Sequence, residues 1–347
     1  MNKRHFLKSF GLGVVSLGFW SNESRAVPLA LKRTLKPATL NVGDCIGIIA
    51  PAGALDSERS ILVTKELLEK LGFRVKEGEH IRSRYGNLAG TDEERLADIH
   101  QMFADPQVQG VVCIRGGTGV SRLLDRIDYS LIAKNPKVIL GYSDITGLIL
   151  ALYTKIGLVS FHGAVGTSTW SSQLVEKFEE QFFENKLQKF VNPAKKGDTF
   201  IQYNDRIRTI HEGRVEGVLL GGNLTLVSGL CGSAFLPDFK DAILFIEEVD
   251  EDYGRVDRMF CQLKNAGILA AIKGFVFGNC TDCSPTSGYG SFNLDQILDD
   301  YIRPLNIPSY SGARIGHISD QFILPVGVTV RMDATAGIIE LLEPALN

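Results

Sequence analysis

The sequence predicts two α/β domains: a parallel-sheet α/β sandwich in the N-terminal half and a β-rich α/β domain in the C-terminal half. Apolar strand patterns alternate with helical patterns from residue 45 to residue 164, an order typical of a parallel sheet covered by helices. A polar stretch interrupts this alternation at 167–212. After it, strand patterns resume and become frequent late in the chain, which predicts a second domain richer in strands.

The first 26 residues have the pattern of an export signal. A basic start is followed by a short apolar stretch at 10–20, and then by Ser24 and Ala26 at the spacing that a signal peptidase recognises. The apolar stretch is too short to span a bilayer. We therefore predict cleavage after Ala26, a periplasmic location and no stable membrane insertion after cleavage; the alternative is an uncleaved N-terminal anchor. The segment NKRHFLK resembles a twin-arginine export motif with Lys3 in place of the first arginine.

Composition and charge narrow the classes of function. The 347 residues are 44% hydrophobic and 22% charged, which are ordinary values for globular proteins. Removing residues 1–26 takes away four basic residues and one acidic residue, and leaves 33 basic and 39 acidic residues. A net charge of −6 argues against nucleic acid as a partner, because nucleic acid binds basic surfaces. No later stretch is long and apolar enough to span a bilayer.

The N-terminal domain is predicted at 44–166, after an extended lead-in at 27–43. Its strands are predicted within 45–53, 74–79, 108–117, 137–144 and 158–164. Its helices are predicted at 56–72, 90–105, 120–127 and 146–157. Asp56 is the expected N-cap of the first helix, and Thr91 with Glu94 should form a capping box on the second.

A linker is predicted at 167–212, with a helix over 177–190. The C-terminal domain then occupies 213–347. Strands are predicted at the start of 214–232, at 242–251, at 274–279 and within 322–343, and helices at the end of 214–232, at 255–267 and at 294–305.

Six cysteines divide into two groups. Cys280 and Cys283 form a Cys-x-x-Cys pair, whereas the other four lie in apolar runs and should be buried small hydrophobes. A redox motif should open a helix after a strand, but Ser284 and Pro285 lead into a Gly/Ser-rich loop here. The pattern therefore favours a structural pair, such as a local disulfide in an oxidising compartment, over a redox or metal site.

Ser143 is a candidate nucleophile. It lies at a sharp strand-to-helix turn, with Gly141 two residues before it. This pattern resembles the nucleophile elbow of α/β-hydrolases without the trailing glycine, because Ile145 occupies that position. A helix N-terminus also favours developing negative charge. The alternative is a serine that only caps the following helix.

A serine nucleophile needs a base, an acid that orients the base, and N–H groups for the oxyanion. His162, at the end of a strand, and His317, in a Gly-flanked loop, are the two candidate bases. Glu247 and Glu248 follow a buried strand, and alternation sends their carboxylates to opposite sides. Each of these residues could instead be structural, and the pattern alone leaves the choices open.

Two glycine-rich turns could supply N–H groups. The turns are CIRGGTG at 113–119 and LLGGNL at 219–224, and both follow predicted strands. Such a turn can bind phosphate, but neither has the Walker or the dinucleotide spacing. The first equally suits an oxyanion donor beside Ser143.

Long segments of the sequence resemble one known family. The region from AGTDEERLADIHQMF to KNPKVILGYSDIT, together with GGNL, FIEEVDEDYGRVDRMFCQLKNAGIL and RIGHISDQFILPVG, is similar to the L,D-carboxypeptidase family of serine peptidases. That family includes muramoyl-tetrapeptide carboxypeptidases and microcin C self-immunity proteins. The resemblance covers about residues 39 to 345, with the motifs in the same order.

The resemblance implies a complete site. Ser143, Glu247 and His317 would form the triad, and the backbone N–H groups of Gly117 and Asp144 would form the oxyanion hole. The cleft would lie between the two domains, with no cofactor or metal ion, in a homodimer. Two features depart from the family: Thr118 replaces a common aromatic residue, and an export signal is unusual because tetrapeptide-recycling members are usually cytoplasmic.

The sequence thus predicts a serine peptidase that hydrolyses the bond before the terminal D-alanine of a murein tetrapeptide through an acyl-enzyme. Arg115 is a candidate for binding the substrate carboxylate, with a structural ion pair as the alternative. Two rival hypotheses are an amidase that cleaves peptidyl-nucleotide antibiotics with the same triad, and a non-catalytic periplasmic ligand-binding protein. The latter has no reason to bring Ser143, Glu247 and His317 together.

Overall fold

Two sheets organise the computed structural model, which describes residues 34–193, 206–286 and 290–347. The predicted signal at 1–26 and the beginning of the lead-in lie outside the described residues. The strands are β1 (Cys45–Ile49), β2 (Arg74–Glu77), β3 (Gly110–Cys113), β4 (Val138–Gly141), β5 (Ser160–His162), β6 (Lys189–Val191), β7 (Arg208–His211), β8 (Arg214–Asn223), β9 (Ile243–Val249), β10 (Gly274–Thr281), β11 (Ser309–Ser311), β12 (Leu324–Val326), β13 (Thr329–Asp333) and β14 (Ile338–Leu341).

Helices connect and cover these strands. They are α1 (Glu58–Lys70), α2 (Asp92–Ala104), α3 (Tyr129–Lys134), α4 (Thr146–Ile156), α5 (Ser172–Phe182), α6 (Leu224–Gly229), α7 (Tyr253–Asn265), α8 (Ile268–Ala271) and α9 (Leu294–Tyr301). The predicted capping box on α2 is present, with Thr91 and Glu94 each accepting the other's backbone N–H. No helix in the three described ranges has the length and apolar character needed to cross a membrane.

The first sheet has the strand order β12-β5-β4-β3-β1-β2. The strands β1 to β5 are parallel to one another. Every residue of β1, β3, β4 and β5 is buried, as expected for strands covered on both faces. The parallel α/β sandwich predicted for the N-terminal half is therefore confirmed.

The second sheet has the order β6-β14-β13-β8-β9-β10-β11-β7. Its central strands, from β8 to β11, are parallel, and its outer strands are antiparallel. This is the β-rich α/β domain that the sequence predicts. Helix α4, whose first seven residues are all buried, contacts β5 of the first sheet and β8 of the second. A helix that is apolar on all sides suits this position between the sheets.

Strand β12 joins the first sheet although it comes from the C-terminal part of the chain. It pairs antiparallel with β5, and Leu324 lies opposite His162. A three-residue apolar strand carries no local signal for its partner, so the sequence places it only among the late strands. The loop that precedes it, and that contains His317, is thereby fixed next to the end of β5.

Three local predictions are wrong. The helix predicted at 120–127 is only a short 3-10 turn over Val120–Arg122, and α3 follows it at Tyr129–Lys134. Helix α1 begins after Ser57 rather than after Asp56, and the Asp56 carboxylate forms an ion pair with Arg115 instead of capping the helix. The helix predicted over 177–190 ends at Phe182, and its last residues instead form β6, in which Phe190 pairs with Ile339 of β14. Cross-strand pairing there overrides a helical pattern.

Candidate active site

Ser143 occupies a strained turn between β4 and α4. Its φ of 62° lies in the left-handed region, which is uncommon for a residue with a side chain. Two glycines make room for it: a Cβ on Gly141 would lie 2.9 Å from the Ile145 side chain, and one on Gly116 would lie 2.8 Å from the Ser143 Cβ. The short 3-10 turn Ser143–Ile145 has no side-chain cap. The geometry therefore differs from that of a serine that only caps the helix.

Glu247 and His317 form a hydrogen-bonded pair. The His317 Nδ1 and the Glu247 Oε2 are 2.9 Å apart. Glu247 is fully buried in β9, whereas the His317 side chain is 19% exposed. Gly316 precedes the histidine with a φ of 114°, and a Cβ there would lie 2.8 Å from the Glu247 Oε2. The glycine thus lets the His317 loop approach the carboxylate closely.

Glu248 points the other way along β9. Its Oε1 accepts a hydrogen bond from Asn223 at 2.9 Å, and its Oε2 accepts two from the backbone and hydroxyl of Thr225, both at 2.8 Å. Burial raises the pKa of Glu248. These contacts attach the Glu248 carboxylate to the start of α6. Of the two candidate acids, only Glu247 contacts a histidine.

Ser143 and His317 line one cleft of about 300 Å³. The residues that line the cleft with them are Asp56, Ser60, Arg115, Gly116, Gly117, Tyr142, Val165 and Thr167. The Tyr142 ring lies 4.7 Å from the His317 ring. Among the described residues no hydrogen bond joins the Ser143 hydroxyl to His317, and such bonds often form only when substrate binds. The cleft thus exposes the serine and the histidine, while Glu247 lies buried beneath them.

The two predicted oxyanion donors flank Ser143. Along the 3-10 turn, the first amide that donates to a backbone carbonyl is that of Ile145. Its nitrogen lies 3.2 Å from the carbonyl oxygen of Tyr142. The Asp144 amide precedes it, at the position where a helix start leaves N–H groups available. Gly117 has a φ of 123°, and a Cβ there would lie 2.8 Å from the Gly53 Cα. Only glycine therefore fits this turn at the edge of the cleft.

The Asp144 side chain joins these two turns. Its Oδ2 accepts the Val120 N–H at 2.8 Å, in buried surroundings. Burial raises the pKa of Asp144 to about 6. The family resemblance points to the backbone of Asp144 but not to this carboxylate, and nothing local in the sequence shows that it reaches an amide 24 residues earlier.

Arg115 lies in the cleft beside an acidic partner. Its Nη1 donates to the Ala54 carbonyl at 2.9 Å and to the Asp56 Oδ2 at 3.1 Å. The arginine side chain is 33% exposed and the Asp56 side chain 86%. An ion pair this open is weak in water, so its arginine remains able to bind an anionic ligand.

The other residues singled out from the sequence lie outside the cleft. His162 is fully buried at the end of β5, and burial lowers its pKa to about 4. Cys280 and Cys283 form a disulfide, as the sequence favours. Of the four remaining cysteines, Cys45 and Cys113 are buried as predicted, and the other two are half-buried. The described residues include no group of three or more His, Cys, Asp or Glu side chains that could hold a metal ion.

Comparison with known proteins identifies the family to which the chain belongs. The sequence matches the LD-carboxypeptidase N-terminal domain over residues 46–163 and the LD-carboxypeptidase C-terminal domain over residues 216–332. It is 38% identical to the probable murein peptide carboxypeptidase of Bacillus subtilis over 302 residues, which cover 86% of this chain and 91% of that protein. It is 31% identical to the murein tetrapeptide carboxypeptidase of Pseudomonas aeruginosa over 296 residues, covering 83% and 92%.

A solved structure supports the same fold. The structure of MccF in complex with glutamyl sulfamoyl guanosine has a TM-score of 0.81 and covers 90% of this chain and 100% of its own, at 24% identity. At that identity the likeness concerns the fold alone. The chain belongs to the LD-carboxypeptidase family. It is a serine-type carboxypeptidase, a hydrolase, and this confirms the resemblance seen in the sequence.

Proposed function

We propose that this carboxypeptidase removes the terminal D-alanine from murein tetrapeptides, with Ser143 as nucleophile, His317 as base and Glu247 as the residue that orients the base. The observation that carries the proposal is the buried Glu247 hydrogen-bonded to His317, whose half-buried ring lines the same cleft as the strained Ser143. Relatives at 38% and 31% identity are named as carboxypeptidases of murein peptides.

The proposed reaction proceeds in two steps. The Ser143 hydroxyl attacks the carbonyl carbon before D-alanine while the His317 Nε2 takes its proton. The Gly117 and Asp144 amides stabilise the oxyanion, and the tetrahedral intermediate collapses when the histidine returns the proton to the D-alanine nitrogen. Water then attacks the acyl-enzyme with the same histidine as base, and releases the tripeptide and the free serine.

Arg115 gives this site a basis for carboxypeptidase action. A carboxypeptidase has to recognise the free carboxylate next to the bond that it cleaves. The guanidinium lies on the cleft wall with Gly116 and Gly117, the turn that carries one oxyanion donor. A guanidinium binds a carboxylate in a geometry that a lysine cannot reproduce. We propose that Arg115 exchanges the exposed Asp56 carboxylate for that of the substrate.

Export of the chain would place this reaction in the periplasm. The pattern of residues 1–26 supports that location, and the family resemblance supports a homodimer. Fractionation of cells that produce the protein tests the location, with mass spectrometry of the mature N-terminus to give the cleavage site. Light scattering of the purified protein tests the dimer; a monomeric mass at working concentration would contradict it.

A turnover assay tests the reaction. The purified protein is incubated with murein tetrapeptide, and the released D-alanine is measured by mass spectrometry beside the Ser143→Ala variant. Release by the wild-type protein alone is the expected result. Equal release by both proteins would contradict the Ser143 mechanism. No release by either would contradict the tetrapeptide as substrate, and a peptidyl-nucleotide in the same assay tests the rival amidase.

A further inference from the structure

Two fully buried side chains at the proposed active site, His162 and Glu247, have polar atoms without a hydrogen-bond partner among the described residues. Within the described ranges neither ring nitrogen of His162 has a hydrogen-bond partner, and neither does the Oε1 of Glu247. Both residues are 0% exposed. Buried polar groups almost always have a partner, so two such groups in one region call for a common explanation.

A chain of ring contacts places His162 behind the Glu247–His317 pair. The His162 ring lies 5.3 Å from the Phe245 ring and 6.0 Å from the Tyr142 ring, both edge-to-face. Tyr142 in turn contacts the His317 ring at 4.7 Å. Because Phe245 precedes Glu247 by two residues in β9, their side chains point to the same face of the strand. His162 therefore faces the side of β9 that carries Glu247.

The protonation state of His162 makes the two groups complementary. Burial lowers the pKa of His162 to about 4, with Glu247 favouring and His317 opposing its charged form. At neutral pH the ring is thus neutral and has one N–H donor. The Glu247 Oε1 is an acceptor only. The remaining ionisable group against this ring is the Tyr142 phenol, whose pKa burial raises, while Glu248 points to the opposite side of β9.

We propose that His162 is a positioning residue of the active site: its ring N–H holds the Glu247 Oε1 through one bridging water molecule, so that the Oε2 faces the His317 Nδ1. A polar contact longer than a direct hydrogen bond is commonly made through such a water. With both oxygens held, the carboxylate cannot rotate away from the histidine that it orients. This inference rests on the proposed function of Glu247 and His317.

A pH profile distinguishes this role from simple packing. In His162→Phe the charged Glu247 loses a hydrogen bond, so the Glu247–His317 pair takes up a proton at higher pH. We expect the acid limb of kcat/KM for D-alanine release to move up by about one pH unit, with about a tenfold loss of rate on that limb. His162→Gln keeps an N–H donor and should stay close to the wild-type midpoint. His211→Phe makes the same replacement at a half-buried histidine in β7 and should not move the limb.

The result that overturns the inference is an unchanged midpoint in a folded His162→Phe protein that is active. A second measurement does not depend on turnover or on that variant. Nitrogen NMR of the imidazoles in the wild-type protein should show a neutral His162 with an N–H protected from exchange, and Glu247→Gln should shift its resonance. An unprotected N–H, or no response to Glu247→Gln, would contradict the water bridge. Absence of turnover in the wild-type protein would instead contradict the proposed function, and the NMR result would still decide this inference.

Discussion

On the side of the first sheet, the backbone holds Ser143 in place. Its φ is 62°, and Gly141 and Gly116 leave space that a side chain at either position would fill, against Ile145 or Ser143 itself. On the side of the second sheet, Glu247 and His317 are held by a side-chain hydrogen bond between residues 70 apart in the chain. The first arrangement is steric, and the second is electrostatic. Substitutions at the Ser143 turn and at the Glu247–His317 pair should therefore affect activity and stability in different ways.

The largest effect is expected from Ser143→Ala. Loss of the proposed nucleophile should lower kcat for D-alanine release by on the order of 10⁴-fold to 10⁶-fold. The thermal midpoint should change little, because alanine keeps the Cβ of serine and the hydroxyl that is lost faces the cleft. Steady-state kinetics and calorimetry check the two halves of this prediction. Ser130→Ala, at an exposed serine, is the matched control.

Glu247→Gln tests the electrostatic side without changing the shape of the side chain. In the proposed mechanism His317 becomes charged in the transition state, and an amide cannot stabilise that charge, so kcat should fall by on the order of 10³-fold to 10⁴-fold. Measurement of kcat and KM should show the loss mainly in kcat, since the residue is buried below the cleft. A loss confined to KM would assign Glu247 to substrate binding instead.

Gly116→Ala tests the steric side without removing a functional group. The added methyl would lie 2.8 Å from the Ser143 Cβ, so the elbow has to shift. We expect about a 10-fold to 100-fold loss of kcat, in line with a small misplacement of reacting groups, and a lower unfolding free energy by about 1–3 kcal/mol. Gly229→Ala is the matched control, because no atom lies within 4 Å of its added Cβ. Equal effects of both substitutions would refute the steric argument.

The same contrast explains what could be predicted from the sequence. The parallel sheet and the Ser143 turn follow from local patterns: apolar runs, glycines and a capping box. The choice between His162 and His317, and between Glu247 and Glu248, came only from the family resemblance. The Glu247–His317 bond requires β12 to cross into the first sheet and fix the preceding loop, and a three-residue strand does not encode that pairing. The Asp144–Val120 bond and the Arg115–Asp56 pair depend on distant contacts in the same way.

Arg115→Gln should have a smaller effect than the changes above. Loss of the guanidinium removes a charge-assisted hydrogen bond to the substrate carboxylate, worth roughly 1.5 kcal/mol or a tenfold rise in KM. The value of kcat should change less, since the bond is made in the ground state as well. Kinetics with D-alanine-terminated peptide and with its C-terminal amide check this. The wild-type preference for the free acid over the amide should be smaller in the variant. An unchanged preference would mean that Arg115 does not bind the substrate carboxylate and serves only in its ion pair with Asp56.

The last prediction concerns stability rather than activity, and it involves Asp144, which links the two turns of the steric side. Its folded pKa of about 6 lies above its ordinary value of 3.8, so between these values the folded state binds more protons than the unfolded state. Stability should therefore fall as pH rises from about 4 to about 6, by up to about 2 kcal/mol. Asp144→Asn keeps an oxygen acceptor for the Val120 N–H and lacks the titration. Denaturant unfolding across this range should show the wild-type protein losing stability relative to the variant. A constant difference between them would mean that the carboxylate stays charged throughout, and that the link between the turns is an ionic contact rather than a neutral one.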